Sequence, residues 1–116
     1  MNRIVVFDIV GKNAISLQSG TKLYSKISSK VIKGEGVELD FNKVELFASP
    51  FFNASIGLLL KDVDVNTLLQ RLNVENLSDV GRDLLNHVIS NAINFYKNKN
   101  SFSQAIKDAD VGDEYE

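Results

Sequence analysis

The chain reads as a small α/β domain: a mixed or mostly parallel β-sheet with about four helices packed over it. Two observations predict this. Short β-branched and aromatic runs alternate with helix-period runs in the order strand, helix, strand, helix, helix, strand, helix, the pattern of strands joined by covering helices. The 116 residues, 44% hydrophobic and 24% charged, also suffice for one core without a disulfide or a metal.

Arg3–Val10 (RIVVFDIV) is β-branched and aromatic and stops at Gly11-Lys12-Asn13, a turn signal. Ala14–Leu17 reads as a short returning strand. Ser19-Gly20-Thr21 supplies capping hydroxyls for an amphipathic helix through KLYSKISSKVIKG, in which Leu23, Ile27 and Val31 recur every four residues. Gly34 and Gly36 end that helix, and Lys30 and Lys33 suit the negative end of its dipole. In Val37–Phe41 (VELDF), apolar Val37, Leu39 and Phe41 alternate with Glu38 and Asp40, the clearest strand pattern in the chain.

Ser49-Pro50 announces the next helix: serine accepts from free N–H groups and proline is tolerated in the first turn. Phe51, Phe52, Ile56, Leu58, Leu59 and Leu60 leave it little polar surface, so it is buried on much of its circumference. Gly57 in its interior costs about 1 kcal/mol against alanine, which implies close packing there. Asp64 or Asn66 starts a helix over Thr67–Leu72, Val74–Leu77 is a short last strand, and Ser78 or Asp79 caps the longest helix, running to about Asn98. Leu84, Leu85, Val88, Ile89, Ala92, Ile93 and Tyr96 give that helix its apolar face. Asp108, Asp110, Asp113, Glu114 and Glu116 follow in a polar stretch, so residues 101–116 are read as an acidic, mobile tail after a domain over 1–100.

Composition narrows the function. The net charge of −2 with scattered basic residues gives nucleic acid no cationic face, and no segment reaches the length of a membrane span, so neither is an expected partner. The absence of cysteine excludes disulfides, thiolate zinc sites and cysteine nucleophiles, and fits a reducing, cytoplasmic setting.

Catalytic chemistry is not legible, and no cofactor is expected. GKNA and GEGV lack the lysine-serine ending of a phosphate loop. His87, the one histidine, has no second imidazole with which to share a metal. Asp8 and Asp40 each interrupt an apolar strand near the end where ligands gather in α/β sheets; each is either a ligand-binding carboxylate or the solvent-facing member of an alternation. Asp62 and Asp64 read as loop and capping residues. Ser49 reads as an N-cap or as a phosphoacceptor, and Asn53 and Ser55, one turn further, bond to backbone or face a partner.

The chain resembles the STAS-like proteins, small bacterial domains related to the sulphate-transporter and anti-sigma-factor-antagonist fold. The resemblance rests on Ile15-Ser16-Leu17-Gln18-Ser19-Gly20, on Val37–Phe41 with Phe47–Gly57, and on Leu72-Asn73-Val74 with the helix after Ser78; it covers about Val5 to Lys97. In the anti-sigma factor antagonists, a comparable strand leads into an Asp-Ser-Ser-Gly turn whose second serine a partner kinase phosphorylates. Here Ala48, Ser49, Pro50 and Phe51 take those four places, so proline stands at the usual phosphoacceptor. The resemblance implies a non-enzymatic partner-binding module in bacterial regulation. Ser49, Asn53 and Ser55 would face a regulatory protein such as a histidine-kinase-like ATPase, with Phe47, Phe51 and Phe52 mainly in the core. The alternatives are a phosphorylation switch at Ser49 or Ser55, or a small-ligand or nucleotide module using Asp8 and Asp40.

Overall fold

The computed structural model describes residues 2–109, with side chains over 2–97. Three parallel strands form the main sheet, in the order β1 (Asn2–Val5), β3 (Val37–Asp40), β5 (Leu72–Glu75). Ile4 pairs with Leu39 and Leu39 with Val74, and Val37 with Leu72, so one face is aliphatic except at the edge residue Asn2. A second, two-residue parallel ladder joins β2 (Asn13–Ala14) to β4 (Leu46–Phe47). The α/β class therefore holds, with every pairing among the described residues parallel.

Among the described residues five α-helices attend these strands: α1 (Val6–Val10), α2 (Leu17–Lys33), α3 (Ser49–Ala54), α4 (Val65–Arg71) and α5 (Asp79–Ala109). Leu23, Ile27 and Val31 of α2, Phe51 and Phe52 of α3, Leu68 of α4, and Leu85 and Val88 of α5 are all buried in one core with Val37 and Leu39. The opposite face of the main sheet, bearing Arg3, Val5, Glu38, Asn73 and Glu75, is largely open. Parallel sheets are usually covered on both faces; here the uncovered one is polar.

Local chemistry explains most boundaries. Ser16 caps α2, its Oγ accepting from the Ser19 amide at 3.0 Å, and Gly34 closes it at φ 101° in the left-handed region. The capping hydroxyl thus comes earlier than Ser19 and Thr21. Asp64 caps α4 through Thr67 N at 2.7 Å, and Ser78 Oγ receives the Gly81 amide at 3.1 Å at the start of α5.

Several elements differ from the sequence reading: the strand read over Ala14–Leu17 is β2, Asn13–Ala14, with Leu17 already in α2, and the strand read over Val74–Leu77 is β5, Leu72–Glu75. The run Arg3–Val10 is not one strand: β3 ends at Asp40, opposite Val5, so no partner remains, and the chain coils as α1 with Val6 buried. The long helix expected after Pro50 breaks at Ser55 (φ −115°, ψ −92°) and resumes as a 3-10 helix over Gly57–Lys61. Finally, α5 continues past Asn98 to Ala109; of the acidic stretch read as a tail, residues 110–116 lie outside the described residues.

Candidate functional site

The strand-to-helix corner is built where the small ladder feeds two helices. Ala14 sits beside Phe47, and the Ala48 amide extends the ladder by donating to the Ala14 carbonyl at 3.0 Å. Chain direction then turns sharply: β2 leads into α2 and β4 into α3. The two helices meet at Gly20, where an added Cβ would overlap the Phe51 carbonyl oxygen and lie 2.9 Å from Ala54 Cβ. Only a glycine admits this approach. Beneath the corner, Phe47 stacks on Phe52 (centroids 5.9 Å, planes 4° apart), and Phe41 and Phe51 lie against Phe52 at 6.2 and 5.2 Å.

On this base Pro50 and Asn53 are exposed and Ser49 is half-buried. Ser49 is not the N-cap. Ala48 occupies that position without a side-chain acceptor, Ser49 is the first helical residue, and Pro50 is the second. The Ser49 hydroxyl is therefore free of the capping role assigned to it.

Ser55 departs from expectation more sharply. It is fully buried, and its Oγ donates to the Phe51 carbonyl at 2.8 Å. Its hydroxyl serves the break between α3 and the 3-10 helix, and it reaches neither a partner nor a kinase in this conformation. Gly57 confirms the expected close packing: a Cβ there would lie 3.1 Å from Val88 Cγ1 on α5 and 3.2 Å from the Phe52 carbonyl oxygen.

Three residues that the sequence reading did not propose as partner contacts adjoin the corner. Ile15, Leu17 and Leu46 are 41%, 63% and 54% exposed, although each belongs to or adjoins an element leading into the corner. The sequence signal was available in part: within β4, Phe47 turns inward onto Phe52, so its strand neighbour Leu46 must point outward.

The carboxylates have settled roles. Asp40 is buried beside the open sheet face; its Oδ1 accepts from Asn76 Nδ2 at 2.8 Å and from the Asn42 amide at 2.9 Å, and its Oδ2 from Arg3 at 2.8 Å. The Asn76 bond, then the Asn42 amide and the Arg3 charge, outweigh desolvation and hold its pKa below the ordinary aspartate value. Arg3 also pairs with Glu38, so a single guanidinium ties β1 to two carboxylates of β3. Asp40 is neither solvent-facing nor free for a ligand: both oxygens are engaged. Asp8 is exposed on α1, not within a strand.

Asp64 is the α4 cap, its pKa lowered chiefly by the Thr67 amide, and Asp62 lies in the exposed loop 3.9 Å from Lys61. His87 is exposed in the middle of α5. Among the described residues no three His, Cys, Asp or Glu side chains gather as a metal site, and no helix is long and apolar enough to cross a membrane.

The corner offers aliphatic area and short hydrogen-bonding groups on a rigid aromatic foundation. A family model described as a STAS-like domain of unknown function (DUF4325) matches residues 19–82, which include α2 from Ser19 onward, the main-sheet strands β3 and β5, and the whole of α3. No curated protein and no solved structure matches the chain.

Proposed function

The chain belongs to the STAS-like domain family of unknown function, and from that membership we propose that it is a non-enzymatic module that binds a regulatory protein through the β4–α3 corner. The observation that carries this reading is the exposure of Ile15, Leu17 and Leu46, on or beside the elements that lead into the corner, together with that of Pro50 and Asn53 on α3. Exposed aliphatic side chains bordered by small polar ones make up the core and rim of a protein interface. A small-molecule site would instead be concave and enclosing. The partner fitting the earlier resemblance is a histidine-kinase-like ATPase, and the chemistry would reside in that partner.

The buried Asp40 supports the same reading, since its three hydrogen bonds commit that carboxylate to the fold and not to a substrate. Phosphorylation as a control on binding narrows to Ser49, because Ser55 is sealed. The test is recovery of the ATPase by wild type and by an Ile15→Asp/Leu46→Asp variant, with Asn73→Asp on the open sheet face as control. Loss with the double variant alone supports the corner; equal recovery by all three rejects it. An added 80 Da on Ser49 after incubation with that ATPase and ATP would establish the switch, at about two negative charges per phosphate.

A further inference from the structure

The main sheet stops at β5, which pairs with β3 on one side and, among the described residues, with no strand on the other. The Phe41 amide donates to the Glu75 carbonyl at 2.9 Å, so Glu75, and with it Asn73 two residues back, turns its main chain toward β3. Main-chain groups of successive strand residues point to opposite edges. The N–H and C=O of Val74 therefore face outward. An unpaired edge of this kind is a template for one more strand, and β5 (LNVE) holds neither the proline nor the lysine that commonly blunts one.

A groove follows that edge. Leu72, Asn73 and Val74 all border a cavity of about 190 Å³. Their side chains alternate between the two faces of the sheet, so three in succession can line one cavity only along the edge of the strand. No residue of β1 or β3 lines it; the opposite wall comes from α4 and the N-terminal part of α5. Buried Ile56, Leu68 and Leu85 make its floor apolar. On the rim, Leu69 is 63% exposed, and Arg82 and Asn86 are exposed one turn apart on α5. Although Asp79 and Asp83 adjoin it in sequence, the Arg82 guanidinium joins no ion pair among the described residues. The cavity is smaller than the roughly 300 Å³ at which small-molecule sites begin, and suits a single side chain better than a free ligand.

We propose that β5 and this groove bind an extended segment of a second partner protein, added as a fourth strand of the main sheet. One aliphatic or aromatic side chain of the segment sits in the groove, and a neighbouring carboxylate pairs with Arg82. Each feature selects part of that partner. The open main chain of Val74 pairs with an extended chain and not with a helix, the apolar floor takes the anchor, and the guanidinium calls for an acid beside it. In strand addition, main-chain bonds supply affinity and the pocket beside the edge supplies sequence preference. None of these residues belongs to the β4–α3 corner, so the two surfaces stand independently.

Short random peptides displayed on phage are panned against the full-length protein, and the enriched sequences are synthesised with a fluorescent label. The expected consensus holds a Leu, Ile, Val or Phe with an Asp or Glu adjacent or next but one. Binding measured by fluorescence anisotropy should weaken at least about tenfold in Arg82→Glu, an exposed position whose change leaves the core intact, and equally when alternate peptide amides are N-methylated. Lys22→Glu, on the exposed side of α2, should bind as wild type does. In amide hydrogen exchange, the Val74 N–H should be fast in the free protein and protected with peptide, while that of Glu75, already turned to β3, is slow in both. No enrichment over a bare surface overturns the proposal, as do peptides that bind Arg82→Glu as tightly as wild type or leave Val74 exchange unchanged. A free protein that sediments as a dimer with Val74 already protected also overturns it, by placing the edge of a second copy there.

Discussion

Replacing Gly20 by alanine gives opposite outcomes under two simple views of the same residue. If Gly20 were only a glycine in a helix interior, alanine would stabilise α2 by about 1 kcal/mol. The corner geometry argues the reverse. The new Cβ would overlap the Phe51 carbonyl oxygen and stand 2.9 Å from Ala54 Cβ, and the first obstacle is backbone, which cannot rotate aside. Overpacking of this kind costs about 1–3 kcal/mol, and a rigid neighbour places it at the upper end. Net of the propensity gain, Gly20→Ala is expected to lose about 2 kcal/mol, which lowers the melting temperature by about 8 °C for a domain of this size. Urea denaturation monitored by circular dichroism measures it directly. A variant more stable than wild type would refute the close α2–α3 approach, and with it the rigid base assigned to the corner.

Removing the α2 cap by Ser16→Ala loses one side-chain acceptor and is expected to cost about 1 kcal/mol in the same denaturation assay. Ser55→Ala removes the buried hydroxyl bond to the Phe51 carbonyl and should also cost about 1 kcal/mol; no loss would mean that hydroxyl is not structurally engaged. Because the Asp40 pKa is lowered in the folded state, its contribution is present above the ordinary aspartate range and disappears as pH falls through its depressed value. Stability measured from pH 6 down to about 2 should therefore fall less steeply in Asp40→Asn than in wild type, while a variant with an unchanged slope would show that the Arg3–Asp40–Asn76 cluster carries no linkage.

What sequence made legible was local. VELDF, the Leu23–Ile27–Val31 spacing and the apolar face of α5 all follow from side-chain period, and Asp64 was recognisable as a cap because its acceptor serves an amide three residues on. Long-range contacts decided the rest. Val6 leaves the sheet because β3 has ended, and β3 comes more than thirty residues later. Asp40 fits an outward strand position by alternation, yet Arg3 and Asn76, from the strand before and the turn after β5, close over it. Within the corner, Asn53 and Pro50 are exposed as a partner surface requires, but Ser55 is drawn inward by the helix break between it and Gly57. Ile15, Leu17 and Leu46 look like core residues by composition, yet each is exposed: Leu46 alternates with Phe47 in β4, Ile15 lies just past β2, and Leu17 is the first residue of α2.

A photo-crosslinking amino acid at exposed Pro50, compared with one at Asn73 on the open sheet face, tests most directly whether the corner is where this protein meets its partner. Irradiation in the native cell, followed by mass spectrometry, should yield one recurrent crosslinked regulatory protein from position 50 and none of it from position 73. Capture of that protein from position 73 alone would contradict the assignment of the corner.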